Sequence, residues 1–324
     1  MKIAVTGANG YIGRAVVARL LSHKHQVVAL VRQKSTHLPD AAKQIIMCDL
    51  SHPDLVKKSE SVFQQLQDFD AIIHAAALAH SHNNQPDHLT LVHQVNVEAT
   101  LNLARLAQHA NIRRFVFLSS IGVNGNRSIT PFIETNQPNP HNHYARCKYE
   151  AEQGLLQLAK QSSIEVVIVR PPLVYGYDAP GNFAKLRRLI QSGVPLPLGN
   201  VQNQRSLLAL DNLTDFLMLC ADYTHSPKAK NQVFLVADSV SMSTTELVQK
   251  IAISMRKRAR FIPMASSVLQ FMIRVMGKQE NYVSLFESLQ VNTNKAKDLL
   301  GWQPSVGIDQ QLNQDKITSN EKSI

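Results

Sequence analysis

Tyr144 and Lys148 stand four residues apart in Tyr144-Ala145-Arg146-Cys147-Lys148, so a helix would carry the phenol and the ammonium on one face. An ammonium beside a phenol, with a positively charged nicotinamide nearby, favours the phenolate and draws the tyrosine pKa down from about 10, which equips Tyr144 to give or take a proton. Ser119-Ser120 lies upstream with hydroxyls able to hold a reacting oxygen, and Thr6-Gly7-Ala8-Asn9-Gly10-Tyr11-Ile12-Gly13 sits near the start of the chain. Glycines in a strand-to-helix turn tolerate unusual backbone angles and let a pyrophosphate come close to the amides at the helix N-terminus. One string can hold a dinucleotide and the other can move a proton beside it, a pairing that points to hydride transfer at a carbonyl or carbinol carbon. Neither is specific alone. A lone Tyr-x-x-x-Lys is by default a surface pair on an amphipathic helix, and a glycine triplet also suits a plain strand, turn and helix.

These residues need a scaffold to bring them together. Lys2-Ile3-Ala4-Val5 reads as a buried strand, and Ala15-Val16-Val17-Ala18-Arg19-Leu20-Leu21 as the helix after the glycines. The spacing Gly-x-x-Gly-x-x-Gly departs from the Gly-x-Gly-x-x-Gly of ordinary two-domain dehydrogenases. A second strand, Val27-Val28-Ala29-Leu30-Val31, ends at Arg32. An acidic residue there would bond a free ribose 2′-hydroxyl, whereas an arginine can neutralise a 2′-phosphate. NADP(H) is therefore the expected cofactor, with NAD(H) the alternative if Arg32 is a solvated strand end. Ile45-Ile46-Met47-Cys48 delivers Asp49 and Leu50 towards an adenine, and the strand from Ala71 ends in Ala75, Ala76 and Ala77, past which a cofactor backbone can run. Glu165-Val166-Val167-Ile168-Val169-Arg170 continues the sheet, and Val233-Phe234-Leu235-Val236-Ala237 extends it. Strands alternating with helices predict an α/β, Rossmann-like doubly wound parallel sheet with a smaller interleaved substrate-binding domain. The expected division is 1–170 with 206–238 for the dinucleotide, 171–205 with 239–309 for the substrate, and 310–324 as a frayed polar tail.

The chain resembles the extended short-chain dehydrogenase/reductases, within them the nucleotide-sugar epimerase/dehydratase family, from Met1 to about Trp302. The resemblance rests on Gly7, Gly10 and Gly13, Asp49, His74-Ala75-Ala76, Asn96 in Val95-Asn96-Val97, Ser119-Ser120, Tyr144 with Lys148, and Arg170-Pro171-Pro172-Leu173-Val174-Tyr175-Gly176. It implies that Asn9, Tyr11, Ile12, Pro171 and Val174 also face the cofactor. Lys148 would hold the nicotinamide ribose, Ser120 the reacting oxygen, Ser119 would lie beside the cofactor, and Asn96 would support the active-site helix. Members that act as 4,6-dehydratases carry Asp-Glu after the position of Ser120, and members that combine epimerisation with reduction place a cysteine at the position of Ile121. This chain has Ile121-Gly122 there, so neither activity is expected.

Two activities survive, a 4-ketoreductase and a 4-epimerase acting on a UDP-hexose or UDP-N-acetylhexosamine with NAD. The resemblance assigns Asn182 to the substrate diphosphate and Arg205 to a phosphate, where the structural alternatives are a loop amide and a strand-edge arginine. The Arg-x-Gly-Asp-like site of many epimerases is missing, and Phe286-Glu287-Ser288-Leu289-Gln290-Val291-Asn292 occupies its neighbourhood. That departure and Arg32 favour reduction of the C4 ketone of a UDP-linked keto-deoxy sugar for surface polysaccharide or lipopolysaccharide synthesis. Bacterial O-antigen cluster reductases acting on UDP-4-keto-6-deoxy-N-acetylglucosamine are the nearest resemblance, especially from Pro195-Leu196-Pro197-Leu198-Gly199 to Asp211-Asn212-Leu213. A non-catalytic cofactor sensor would leave Tyr144 idle and is the reading from another class.

The formal net charge of +10 invites a nucleic-acid partner, but no nucleic-acid motif accompanies the basic residues, and Arg256-Lys257-Arg258 reads as a solvated helix end. Residues 267–276 suit an amphipathic surface helix, are too short to span a bilayer, and more simply pack in the substrate domain. Three cysteines and an opening straight into the first strand suit a reducing cytoplasm. His80, His82, His141 and His143 lack the cysteine or carboxylate spacing of a metal site, so no metal is expected, although His141 and His143 are placed to touch substrate. A homodimer through the helices around residues 96–109 and 144–160 is the expected assembly.

Overall fold

The computed structural model describes residues 1–78, 85–262, 283 and 285–313. Seven parallel strands form one sheet: β1 (Lys2–Thr6), β2 (Gln26–Val31), β3 (Lys43–Ile46), β4 (Ala71–His74), β5 (Arg114–Leu118), β6 (Glu165–Arg170) and β9 (Gln232–Leu235). Their order is β3-β2-β1-β4-β5-β6-β9, and β7 (Leu173–Tyr175) pairs with β8 (Leu207–Ala209) in a separate ribbon. Val5 stands opposite Ala29 on one side and Ile73 on the other, so strand order reverses at β1. A crevice opens at such a switch point, outside the carboxyl ends of the strands.

The strands are apolar nearly throughout because helices cover both faces, which removes the alternation of a half-wet strand. On one face α1 (Tyr11–Ser22) and α7 (Leu210–Ala221) bury Val16, Val17, Leu20, Leu213, Phe216 and Leu217. On the other, α2 (Leu55–Gln64), α4 (Ala99–His109) and α5 (His143–Gln161) bury Phe63, Leu103, Ala107, Ala151 and Leu155. Helix α3 (Pro86–His93) runs into α4 through a π-helical turn, Gln94–Glu98. A third core gathers Phe183, Leu186 and Ile190 of α6 (Asn182–Ser192) with Leu247, Val248 and Ile251 of α8 (Thr244–Ser254). Helix α9 (Asn294–Leu300) precedes Trp302, which packs edge-on to Phe216.

One boundary differs from expectation. Residues 308–313 are helical, with Gln311 and Leu312 nearly inaccessible. The Gln311 side-chain oxygen accepts from the Asp211 N–H at 2.9 Å, so 310–313 are packed rather than frayed. Residues 314–324 lie outside the described residues, as do 267–276, His80 and His82. No helix among the described residues is long and apolar enough to cross a membrane.

Candidate active site

The glycine string turns from β1 into α1 through Gly7, whose φ of 68° suits a residue without a Cβ. A Cβ there would also lie 2.6 Å from the Ala76 nitrogen, and one on Gly13 would lie 2.1 Å from the Gly7 carbonyl oxygen. Both approaches press the turn against β4 and α1. At Gly10 no side chain caps α1, and the first turn has no acidic residue, so the free amides there suit an anion. A cleft of about 840 Å³ opens beside them, lined by Gly7, Asn9 and Gly10, by Arg32, by Asp49 and Leu50, and by Ala75, Ala76 and Ala77. Its size, small-residue wall and open helix end fit a dinucleotide.

At the far end of this cleft Arg32 is not a free cation. Its guanidinium donates to Asp49 at 2.9 Å, and that contact, joined by Ser51, holds the Asp49 carboxyl down at about 2. The expected preference for NADP(H) thereby loses its basis: the charge meant for a 2′-phosphate is already matched by a carboxylate on the same rim.

Beneath the cleft lies a buried relay that no pattern in the sequence announces. Thr100 Oγ1 donates to the Asn96 carbonyl at 2.9 Å, so it accepts from His74 Nε2–H at 3.0 Å, which leaves Nδ1 to accept from Thr6 Oγ1–H at 2.7 Å. Burial lowers the His74 pKa to about 3, helped by the nearby Lys148 charge, so the ring is neutral and this tautomer is set by its partners. The Asn96 amide brackets the Leu78 backbone at 3.0 and 3.1 Å, fastening the chain after β4. The π-helical turn delivers it there and packs against α5.

Asn142 caps α5 by accepting from the Ala145 N–H at 2.8 Å. The helix then presents Tyr144 and Lys148 on one face, with the Lys148 Nζ 5.9 Å from the Tyr144 ring centre and donating to the Leu118 carbonyl at 2.8 Å. Burial drags the Lys148 pKa down to about 7, with Glu152 pulling the other way, while burial pushes the Tyr144 phenol up. In the protein by itself Tyr144 is therefore a protonated acid, and the phenolate expected beside Lys148 would need the further positive charge of a bound nicotinamide. Ser120 Oγ accepts from the Gly122 N–H at 3.1 Å at the end of β5. Pro171 joins this point through its carbonyl, which accepts from Ile121 N–H at 2.9 Å.

Ser119, next to the tip of β5, turns its hydroxyl to the Glu152 carboxylate. Glu152 is fully buried and bonded by Arg170 Nε at 2.9 and 3.2 Å, and Arg170 Nη1 reaches Asn124 at 2.9 Å. Glu152 falls four residues after Lys148 and eight after Tyr144, so helical spacing was the signal that could have found it.

The remaining expected residues scatter. Tyr11 joins the third core, its hydroxyl over Gly176, where a Cβ would come within 2.3 Å of it. Ile12 and Val174 pack on the main core. Exposed Asn182 opens α6, with Lys185 Nζ 3.5 Å from its side-chain oxygen. Arg205 is committed to structure: its backbone bridges to Met242 and Leu289, and Nη1 donates to the Glu287 carbonyl at 2.8 Å, with burial lowering its pKa to about 10. His143 bonds the Leu89 carbonyl at 3.0 Å, while His141 stays exposed beside Gly122. No group of three metal-ligating side chains occurs among the described residues.

Residues 3–237 match the NAD dependent epimerase/dehydratase family. A UDP-glucose 4-epimerase of Vibrio cholerae is 36% identical over 306 residues, covering 93% of this chain and 90% of that protein. An N-acetyl-alpha-D-glucosaminyl-diphospho-ditrans,octacis-undecaprenol 4-epimerase of Escherichia coli O157:H7 is 24% identical over 79% of this chain and 73% of its own. Among solved structures, the UDP-N-acetylglucosamine 4-epimerase of Bacillus cereus shares the fold with a TM-score of 0.78 at 18% identity, covering 99% of both chains.

Proposed function

The chain belongs to the NAD dependent epimerase/dehydratase family and is an NAD-dependent nucleotide-sugar enzyme, and from that premise we propose that it inverts C4 of a UDP-linked hexose or N-acetylhexosamine. The observation that carries this reading is the likeness to the Vibrio cholerae UDP-glucose 4-epimerase, which runs through both the cofactor half and the later half. The 4-ketoreductase expected from the sequence leaned on the missing Arg-x-Gly-Asp-like site and on Arg32 as an NADPH ligand. It gives way to this alternative because the Vibrio cholerae and Escherichia coli relatives are 4-epimerases and Arg32 is paired with Asp49.

Gly7, Gly10 and the open amides of α1 would hold the diphosphate of NAD, Ala75 to Ala77 would flank its backbone, and Asp49 with Leu50 would meet the adenine end. NAD held by these residues would supply reversible hydride acceptance at the site. Tyr144, as the phenolate, would take the proton of the sugar O4 to become the phenol and would return it to that oxygen as the hydride comes back, with Ser120 Oγ orienting the oxygen. Lys148 supplies one positive charge beside Tyr144, opposing the burial that otherwise keeps the phenol protonated. Asn182, at the first turn of α6, is the proposed contact for the substrate diphosphate, while Arg205 braces the Glu287 segment. The substrate part is proposed to comprise the third core, the enzyme to be a cytoplasmic homodimer through α4 and α5, and the product to feed surface polysaccharide synthesis.

The test is to incubate the purified protein separately with UDP-glucose and UDP-N-acetylglucosamine and follow the anomeric protons by NMR. Conversion to the C4 epimer without net loss of NADH or NADPH is expected. Stoichiometric consumption of reduced cofactor with a 4-keto sugar, and no interconversion, would overturn the epimerase and restore the reductase.

A further inference from the structure

The formal net charge of +10 is not spread over the molecule. Residues 179–210 and 247–262 contain nine lysines and arginines and no aspartate or glutamate, so these two segments hold all but one unit of the net charge. The structure folds them together. Helix α6 packs against α8 over the third core, the Leu196 N–H donates to the Arg260 carbonyl at 2.8 Å, the Ile262 N–H donates to the Leu196 carbonyl at 2.8 Å, and Lys257 Nζ reaches the Gln191 carbonyl at 3.1 Å. Of the cations, Arg187 and Lys250 meet Asp178 and Asp309, and Arg205 is built into the interior. Arg188, Arg256, Lys257, Arg258 and Arg260 are exposed and have no ion-pair partner among the described residues.

The same surface is also apolar. Each helix spends one face on the third core, yet Leu189 is 45% exposed, Val194 56%, Ile253 73% and Ile262 45%, all on the same two segments as the unpaired cations. Single exposed aliphatic residues are unremarkable, but four among five unneutralised cations form a surface of a particular kind. A nucleic-acid backbone would use the charges and leave the aliphatic side chains in water. An anionic bilayer surface uses both, since basic residues are drawn to its negative potential and short apolar side chains enter the headgroup boundary.

We propose that the patch formed by the C-terminal half of α6, the turn at Gly193–Leu196 and residues 253–262 docks the protein on an anionic phospholipid surface. This goes beyond the epimerase reading and does not depend on it. The attachment is peripheral and electrostatic in its first step, so it weakens as salt screens it.

Co-sedimentation of the full chain with vesicles tests this. Binding to equimolar phosphatidylglycerol and phosphatidylcholine at low salt is expected, with none to phosphatidylcholine alone. The triple variant Arg188→Gln, Lys257→Gln, Arg258→Gln should lose at least about tenfold in apparent partition coefficient. The double variant Val194→Ser, Ile253→Ser, at unchanged charge, should lose several-fold. None of these residues belongs to the catalytic or cofactor machinery, so retained turnover and circular dichroism verify that the variants are folded. Absence of binding to the anionic vesicles overturns the proposal, as does a triple variant that binds like wild type. A serine double variant that binds undiminished would also overturn it, by showing a general polyanion site in place of a lipid one.

Discussion

Strand β6 carries a buried arginine–glutamate pair at each end, and the two pairs do different things. At its start, Glu165 accepts from Arg114 Nε at 2.9 Å and from Nη2, and Arg114 Nη1 goes to the Cys220 and Ser226 carbonyls and the Ser226 hydroxyl. All the partners of Arg114 are structural, and they tie β5 and β6 to the end of α7. At its finish, Arg170 holds Glu152, but that carboxylate also accepts from Ser119 and raises the pKa of Lys148 against the pull of burial. The two pairs match in residue type and burial. What separates them is the direction of their spare interactions, outward to helix-end carbonyls in one and inward to Ser119 and Lys148 in the other. A buried ion pair is weak evidence of net stabilisation in either place, yet breaking one leaves an uncompensated charge.

The largest effect tests whether the chemistry sits only at the Arg170 end. Tyr144→Phe removes the hydroxyl proposed to exchange a proton with substrate, and turnover should fall about 10²- to 10⁴-fold in the NMR interconversion assay. The urea midpoint should stay near that of wild type. Residual activity within about threefold of wild type would remove Tyr144 from the reaction and the contrast with it.

At the opposite end the expected loss is in stability. Arg114→Met leaves the Glu165 carboxylate buried with only the half-exposed Arg113 nearby, at 3.2 Å. Unfolding free energy should drop by about 3–5 kcal/mol, a large fraction of a typical domain's total. kcat/KM of the folded fraction should be unchanged. A drop in kcat/KM at a temperature where the variant is fully folded would show that both pairs serve the site.

Glu152→Gln sharpens the same contrast, because it keeps the shape and removes the charge. Without that carboxylate, burial acts on Lys148 against less opposition, and its pKa falls below about 7. If protonated Lys148 supports the proton exchange, the alkaline limb of the kcat/KM profile moves to lower pH, and activity on that limb drops about tenfold for every pH unit the limb travels. Glu165→Gln should leave the profile where it is. An unmoved limb in Glu152→Gln would confine that glutamate to a structural role.

These contrasts mark what the sequence could and could not reveal. The glycine turn, the parallel order of the strands and the shared face of Tyr144 and Lys148 were legible because each follows from local spacing or from runs of apolar residues. The Glu152–Arg170 pair was half legible: Glu152 repeats the helical spacing of Tyr144 and Lys148, but its partner arrives from the next strand. Thr6, His74 and Thr100 lie 68 and 26 residues apart along the chain, and only the pairing of β1 with β4 and the π-helical turn make them one relay. Arg32 shows the converse. Its position at the end of β2 follows from the apolar run before it, but whether its charge is free depends on a carboxylate seventeen residues on, which no local pattern reveals.

That third pair completes the comparison from the solvent side. Arg32 and Asp49 have side chains 77% and 43% exposed, so water already screens them and their attachment is worth at most about 1 kcal/mol. Asp49→Asn should therefore move the urea midpoint hardly at all, unlike either buried pair. Its effect should fall on ligand choice. With the carboxylate gone, Arg32 regains an unmatched charge on the rim of the cleft, where a 2′-phosphate would approach, and affinity for NADP relative to NAD should rise about three- to tenfold by fluorescence titration. Removing the arginine in the same background, Asp49→Asn with Arg32→Ala, should cancel that gain. If the ratio of the two affinities stays constant through all three proteins, Arg32 does not face the ribose, and cofactor choice is made elsewhere in the cleft.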